Sequence, residues 1–300
     1  GLAEEAENPA GPSCLSGTHA DGNAYYMTLS GTSQATAVAS GVAGLTREFI
    51  REQVGVSSPS SALVKAAMIN GARDLGVPDV PNAAEGWGEV NLERTVLPMD
   101  GTTALDTFVD DKKVLSPGFG LLYSFALDPS HGFDVTLAWT DEAGSALAAQ
   151  SESRLVNNLD LVLVGPDGTE WLGNDFSNGF TTTGGTADDL NNVERLRVAP
   201  GVLPAGTANY VLKVLHRGGT QQDFALIMSA VASPTPQADL AVFDGSILPS
   251  SENPLKDDLI SIRLAWVNQG TSTTPSFDVL LEDLTTQTVL ATATRPALAP

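Results

Sequence analysis

Cysteine, lysine and histidine are scarce in this sequence of 300 residues, and no long apolar run is present. The single cysteine, Cys14, excludes an internal disulfide framework. The absence of an apolar run of about 20 residues excludes a membrane-spanning helix. The 36 acidic residues outnumber the 15 basic ones and give a net charge of −21. Such a surface repels nucleic acid and suits divalent cations, so we expect no nucleic-acid partner.

A serine in a tight turn precedes a helical pattern in residues 29–46, which read LSGTSQATAVASGVAGLT. Apolar residues recur at helical spacing, at Val38, Val42, Leu45 and Phe49. This pattern predicts a buried amphipathic helix with Ser33 in its first turn. The first backbone N–H groups of a helix lack partners within it and can stabilise an oxyanion beside the serine. The alternative interpretation is that Thr32 or Ser33 only caps the helix.

The segment SGTSQATAVASGVAGL resembles the stretch around the nucleophile of the subtilisin-like serine proteases, which usually reads S-G-T-S-M-A-T-P. Gln34 and Ala37 depart from that pattern, because the family mostly has Met and Pro there. LVKAAMINGARDLG at 63–76 resembles the family's next helix, and EGWGEVNLERTV at 85–96 resembles its closing G-W-G segment. The resemblance implies an α/β catalytic domain, of which residues 1–98 are the C-terminal part.

The resemblance also implies that Ser33 is the nucleophile of a serine endopeptidase acting on protein or peptide substrates. The backbone N–H of Ser33 and the Thr32 hydroxyl are the implied oxyanion donors. Such a serine needs a base and an orienting carboxylate, in the chain order Asp, His, Ser. We reject His19 as the base because it lies close before Ser33 and because Asp21 follows it. We expect the triad Asp and His and the oxyanion Asn in a missing N-terminal part, and the chain alone to be inactive.

A second hypothesis belongs to a different class of protein. The chain could be a catalytically dead remnant of a protease, or a β-rich binding or adhesion module with a vestigial serine loop. Gln34 and Ala37 favour this alternative, since both depart from the family pattern.

A second helix is predicted over 59–72. Ser60 or Ser61 supplies an N-cap, an apolar stripe follows, and Gly71 stands near the C-cap. Residues 77–92 are predicted to form a loop in which Trp87 packs the end of the catalytic domain.

Beyond residue 98 the periodicity changes to that of short strands separated by turns, which is typical of an all-β sandwich. The predicted strands are 121–127, 133–139, 159–164, 170–174, 194–198, 210–215 and 224–232. The segments FDVTLAWTDEAG, LVNNLDLVLVGPDGTEWLGNDF and NNVERLRV resemble the jelly-roll domain behind the catalytic domain of some alkaline subtilases. The resemblance implies a jelly-roll, P-domain-like sandwich over residues 99–233.

Residues 234–300 begin with a linker composition and continue with a few strand patterns, and they resemble the Ig-like repeats of cell-surface and secreted proteins. We interpret them as an incomplete Ig-like β-sandwich. We therefore expect an extracellular or cell-surface location, and because the first residues are acidic rather than a signal peptide, we expect the targeting segment outside this chain.

Oxygen-bearing side chains cluster in the second domain in a way that strands do not require. The candidate calcium ligands are Asn158, Asp160, Asp175, Asn192 and Glu194. Calcium prefers six to eight such oxygens, and the resemblance also implies calcium in this domain, with a structural role. The alternative is ordinary turn chemistry of Asn and Asp. His131 and His216 have no partner at metal-ligand spacing and are interpreted as surface or edge-strand residues.

Overall fold

The structure is a computed structural model. It describes residues 4–7, 26–29, 31–77, 80–147, 153–203, 208–230, 232–235, 240–241, 247–249, 262–264, 267–268, 274–283 and 288–298. Within these ranges the chain is rich in β-strands and has few helices, as the sequence predicts. No helix in them is both long enough and apolar enough to cross a bilayer.

Helices dominate the first part of the chain. Its elements are β1 (Glu4–Glu7), β2 (Tyr26–Leu29), α1 (Thr32–Phe49), a π-helical turn (Ile50–Val54), α2 (Ser61–Asn70), α3 (Leu92–Val96), β3 (Met99–Asp100) and β4 (Thr103–Ala104). The two main helices agree closely with the sequence prediction, whereas α3 falls at the end of the predicted loop.

Helix α1 begins after a glycine for a steric reason. Gly31 has a φ of 152°, and a Cβ at this position would lie 2.9 Å from Oε1 of Gln34. A side chain is therefore strained here, and the chain turns sharply before Thr32. Helix α2 has the predicted cap, since Ser60 Oγ accepts a hydrogen bond from the N–H of Leu63 at 2.9 Å.

The middle of the chain forms two packed antiparallel sheets. Its strands are β5 (Asp106–Leu115), β6 (Gly120–Leu127), β7 (Phe133–Ala138), β8 (Asn158–Val164), β9 (Glu170–Leu172), β10 (Phe176–Ser177), β11 (Phe180–Thr181), β12 (Val193–Val198), β13 (Ala208–Gly218), β14 (Gln222–Ala230) and β15 (Ala232–Thr235). One sheet has the order β12-β7-β14-β5 and the other has the order β15-β6-β13-β8-β9. Strand β5 is missing from the sequence prediction.

The core between the two sheets contains the inward side chains of both. Leu159, Leu161 and Leu163 of β8 lie there with Tyr123, Phe125, Leu137 and Leu226. The alternation along β8 is the one that the sequence predicts, with Asn158 and Asp160 on its other face. We name this two-sheet unit the sandwich. Its more specific assignment as a jelly roll stays a prediction.

The outer face of the four-stranded sheet is covered by helix α2. Leu63, Ala66 and Ala67 of α2 pack with Ala138, Val193, Ala225 and Ile227 of the sheet, and Trp87 packs against this cluster. The first part of the chain and the sandwich therefore share one apolar core.

Helix α1 is not the buried helix that the sequence predicts. Thr46 is its only buried residue, and Leu45 of the predicted apolar stripe is 50% exposed. Among the described residues, α1 contacts α2 and α3, while most of its length faces outward. The prediction of a buried helix is wrong for this structure, because only the end of the stripe at Phe49 packs against the shared core, whereas Leu45 is exposed and Val38 and Val42 are only half-buried.

The described residues near the end of the chain form short strand pairs. These strands are β16 (Leu240–Ala241), β17 (Ile247–Pro249), β18 (Ile262–Leu264), β19 (Val267–Asn268), β20 (Phe277–Asp283) and β21 (Thr288–Arg295). They pair as β16-β19, β17-β18 and β20-β21. The assignment of residues 234–300 to an Ig-like domain stays a prediction.

Candidate active site

Ser33 lies in the first turn of α1 and is exposed, together with Thr32. Gly31 occupies the N-cap position, and no side chain makes a capping hydrogen bond there. Neither Thr32 nor Ser33 therefore acts as the cap, so the alternative interpretation of these residues as helix caps is wrong. No hydrogen bond joins the Ser33 hydroxyl to any other residue that the structure describes.

The start of α1 suits an anionic reaction intermediate. The first turn contains no acidic residue. Its N–H groups lack partners within the helix, and the helix dipole places positive potential at this end. An oxyanion formed on a substrate beside Ser33 would meet hydrogen-bond donors, and no acidic residue of the same turn would oppose it.

The two described histidines are engaged in the sandwich. His131 Nδ1 lies 3.1 Å from Oδ2 of Asp100, and this pair joins the β3-β4 hairpin to the turn before β7. His216 is buried, and its Nε2 lies 2.7 Å from the carbonyl oxygen of Thr220. Burial lowers the pKa of His216. His19 and Asp21 lie outside the described residues.

Two cavities lie beside α1. One has a volume of about 530 Å³ and is lined by apolar residues such as Ala35, Val38 and Leu75 and by the acidic residues Glu85 and Glu89. The other has a volume of about 380 Å³ and lies between α1 and α2, next to Met68 and Trp87. Leu75 is 57% exposed, so apolar surface continues around the first cavity.

Three of the five predicted calcium ligands keep a free buried oxygen. Asn158 Oδ1, Asp160 Oδ1 and Glu194 Oε1 have no hydrogen-bond partner among the residues that the structure describes. Asp160 and Glu194 are 2% and 1% exposed. Burial, opposed by a hydrogen bond from the N–H of Leu161 and reinforced by the charge of Asp160, raises the pKa of Glu194 well above its ordinary value.

The other two predicted ligands are engaged in hydrogen bonds. Asn192 Oδ1 accepts a hydrogen bond from the Lys65 ammonium at 3.0 Å, which is a poor environment for a second cation. Asp175 accepts a hydrogen bond from the N–H of Gly185 at 2.9 Å and thereby holds its own loop. Among the described residues, no three His, Cys, Asp or Glu side chains come close enough together to hold a metal ion.

Sequence reasoning missed a buried polar network between α2 and the sandwich. Asn70 of α2 bonds with residues of three strands, and Arg195 of β12 is 1% exposed beside it. The available signal was the period-two pattern of β12, which puts Arg195 on the same face as Val193. That pattern gave no indication that a helix covers this face.

Two comparisons with known proteins bear on this site. Residues 3–88 match the subtilase family, Peptidase S8. The chain is also similar to a serine protease/ABC transporter B family protein, tagA, of Dictyostelium discoideum, with 35% identity over 188 residues. That alignment covers 57% of this chain and 10% of the relative, so the chain spans about a tenth of the relative's length. Together these findings support a subtilase-like domain in this chain.

Proposed function

We propose that this protein is a subtilisin-like serine endopeptidase in which Ser33 is the nucleophile. The observation that carries the proposal is the position of Ser33, which is exposed in the first turn of α1 and lies inside the segment that matches the subtilase family. The serine is not needed as a helix cap, and the turn has no carboxylate that would repel an oxyanion.

The reaction follows from this placement. Ser33 Oγ attacks the scissile carbonyl carbon while a base accepts its proton, and the carbonyl oxygen becomes an oxyanion. The N–H of Ser33 and the Thr32 hydroxyl donate to that oxyanion. Collapse of the intermediate expels the amine, which takes up the proton, and leaves an acyl group on Ser33. Water then releases the acyl group by the same steps.

The base, its orienting carboxylate and an oxyanion Asn are proposed to come from parts of the catalytic domain outside the described residues. Two observations support this. Both described histidines are engaged in the sandwich. Helix α1 exposes Leu45, and Val38 of the same helix borders a cavity, which is consistent with a helix that further elements cover. Under this proposal the described residues alone do not carry out the reaction.

The second candidate function is a catalytically dead remnant or a β-rich binding or adhesion module. One observation favours it, namely that no histidine among the described residues is available to Ser33. Gln34 and Ala37 add to it because they depart from the usual family residues.

A serine-directed fluorophosphonate distinguishes the two candidates. The longest polypeptide that contains this sequence is treated with the reagent, and the adduct is mapped by peptide mass spectrometry. We expect the label on Ser33 and its loss in Ser33→Ala. Ser40→Ala is the matched control, because Ser40 is an exposed serine of the same helix whose hydroxyl donates to the carbonyl oxygen of Thr36 at 2.8 Å. Labelling at another residue, or none, contradicts the protease proposal.

We also propose that the sandwich binds calcium as a structural ion, with Asn158, Asp160 and Glu194 as ligands. The free buried oxygens of these three residues support the proposal, and backbone carbonyls would complete the coordination. Asp160 and Glu194 each offer one oxygen, because Asp160 Oδ2 accepts from Nε of Arg217 and Glu194 Oε2 accepts from the N–H of Leu161. Asp175 and Asn192 are left out, because neither has a buried oxygen without a partner among the described residues. Chelation should lower the melting temperature of the protein, and Glu194→Gln should remove that dependence. An unchanged melting temperature on chelation contradicts the calcium proposal.

An extracellular or cell-surface location is proposed on the acidic composition and on the resemblance of residues 234–300 to repeats of secreted and cell-surface proteins. Export of the complete polypeptide, measured by fractionation of the cells that make it, tests this location.

A further inference from the structure

Three strands of the sandwich hold one residue of helix α2. Asn70 is 5% exposed at the C-terminal end of α2. Its Nδ2 donates to Ser229 Oγ at 3.0 Å, and its Oδ1 accepts from Thr136 Oγ1 at 3.1 Å. Its backbone oxygen accepts from Nη2 of Arg195 at 3.0 Å. The bonds come from β14, β7 and β12, so Asn70 is fixed in three directions.

Arg195 is the charged centre of this network. Its guanidinium is buried and also donates to Oδ1 of Asp134 at 2.8 Å. Asp134 lies 3.7 Å from a guanidinium nitrogen of Arg94 in α3, so the same carboxylate contacts both the helical part and the sandwich. Burying such a pair contributes little net stability, and in some proteins buried polar groups of this kind select one packed arrangement.

Apolar contacts alone would leave the position of α2 loosely defined. The α2 side chains that face the sheet are mostly small, such as Ala62, Ala66 and Ala67. Such a surface can slide or rotate on a sheet at modest cost because hydrophobic contact is not directional. The hydrogen bonds at Asn70 are directional, and they lose energy steeply when the helix shifts.

The position of α2 determines the position of the nucleophile helix. Among the described residues, α1 contacts only α2, α3 and the π-helical turn closely. Its buried residue, Thr46, lies near its C-terminal end, and Ile50 follows it in the shared core. A shift or tilt of α2 therefore moves α1, and Ser33 lies at the far end of α1, where a tilt has its largest effect.

We propose that Arg195 is a positioning residue for Ser33, which it fixes through Asn70 and helix α2. This inference rests on the proposed function of Ser33 and adds to it that the sandwich is part of the apparatus that aligns the nucleophile. Arg195 touches no substrate and takes no part in proton transfer.

The first experiment measures fluorophosphonate labelling of Ser33 in the complete protein as a function of reagent concentration. Arg195→Met keeps an unbranched apolar stem but is shorter and removes all of the donors. We expect a maximal labelling rate roughly tenfold lower or more, since a nucleophile displaced by about 1 Å loses much of its reactivity. Arg195→Lys retains a charged donor and should recover part of the rate. Arg217→Met is the matched control, because Arg217 pairs with Asp160 on a different strand and is half-exposed.

A purely structural role is tested by Ile227→Val, which removes one methylene from the same interface without touching the hydrogen bonds. We expect it to lower the melting temperature and leave the labelling rate unchanged well below that temperature. If Ile227→Val slows labelling as much as Arg195→Met does, the positioning role is wrong. If Arg195→Met does not fold, Ser229→Ala and Thr136→Val replace it, each removing one bond to Asn70, and unchanged labelling in both overturns the inference.

A result with no label on wild-type Ser33 contradicts the proposed function but still leaves the positioning inference testable. Amide hydrogen exchange is then compared between Arg195→Met and Ile227→Val. We expect exchange in α1 and α2 to be at least about tenfold faster in Arg195→Met alone, because only that variant frees the end of α2. Equal exchange in the two variants overturns the inference.

Discussion

Asp111 of strand β5 accepts two hydrogen bonds from Ser60, the N-cap residue of helix α2. The N–H of Ser60 donates to Oδ2 at 2.9 Å and its hydroxyl donates to Oδ1 at 2.5 Å. A bulge in β5 at Lys112, which has a φ of 58°, interrupts the strand register next to Asp111. The sandwich thus holds both ends of α2, with Asp111 at the start and Arg195 at the end.

Replacement of Asp111 by alanine should lower the free energy of unfolding by about 1–2 kcal/mol, because two hydrogen bonds to a charged acceptor are lost while Ser60 stays partly buried. Urea denaturation followed by tryptophan fluorescence measures this change. Asp106→Ala is the control, since Asp106 is exposed at the start of the same strand, and it should change stability little. A loss as small as that of the control would show that the contact contributes nothing.

Asn157 connects the loops at one end of the sandwich and is fully buried. Its Nδ2 donates to Asp141 Oδ1 at 3.0 Å and to Gln222 Oε1 at 2.8 Å, and its Oδ1 accepts from the N–H of Thr220 at 2.6 Å. Asn157→Asp replaces two donated bonds by contacts between acceptors and buries a charge. We expect a loss of about 3 kcal/mol or more in the free energy of unfolding.

The control for Asn157→Asp is Asn178→Asp, because Asn178 is an exposed turn residue. Thermal unfolding of both variants at neutral pH measures the difference. Equal melting temperatures for the two would mean that the Asn157 network does not stabilise the sandwich.

Glu194 should make the calcium-free protein less stable as the pH rises. Its pKa in the folded state is raised above the ordinary value of 4.5, chiefly by burial, so the folded state holds this proton more tightly than the unfolded chain does. The stabilisation that comes from this protonated carboxyl is complete below about pH 4.5 and is lost as the pH rises through the raised pKa of Glu194. Glu194→Gln keeps an acceptor for the N–H of Leu161 and cannot ionise.

The melting temperatures of wild type and Glu194→Gln, measured in chelator from pH 4 to pH 8, should therefore diverge in favour of the variant as the pH rises. Glu170→Gln is the control, because Glu170 is exposed and pairs with Lys213 across the surface. Parallel curves for wild type and Glu194→Gln would contradict the buried, proton-binding state of Glu194.

Local signals in the sequence predicted helices and strands well where the side chains repeat with a clear period. Ser60 and Gly71 bound α2 as predicted, and Leu159, Leu161 and Leu163 point into the core as their spacing indicates. Strand β5 could not be found this way, because DTFVDDKKVL mixes charged residues into both faces. Those charges have partners that are distant in sequence, as in the Asp111–Ser60 contact, so no local pattern reveals them.

In the candidate site, too, the features set by local sequence could be predicted and those set by distant residues could not. The turn before α1 and the position of Ser33 follow from Gly31 and the helical pattern, which are local. The exposure of Leu45 does not follow from a local pattern. An apolar stripe predicts that a helix face is buried, but it does not show which element buries that face. The role of Asn70 was equally hidden, because its partners Thr136, Arg195 and Ser229 lie on three strands far along the chain.

The exposed apolar stripe of α1 gives a test of how the catalytic domain is completed. Leu45 is 50% exposed, so Leu45→Glu should change the free energy of unfolding of the 300-residue chain by no more than about 0.5 kcal/mol. In a complete enzyme whose other elements cover α1, the same carboxylate would be buried without a partner, and labelling of Ser33 should be lost. Ile50→Glu is the positive control, because Ile50 is fully buried in the shared core and its replacement should unfold both proteins. A complete enzyme that carries Leu45→Glu and still reacts at Ser33 would mean that this stripe stays exposed to solvent, and the proposed covering of α1 would be wrong.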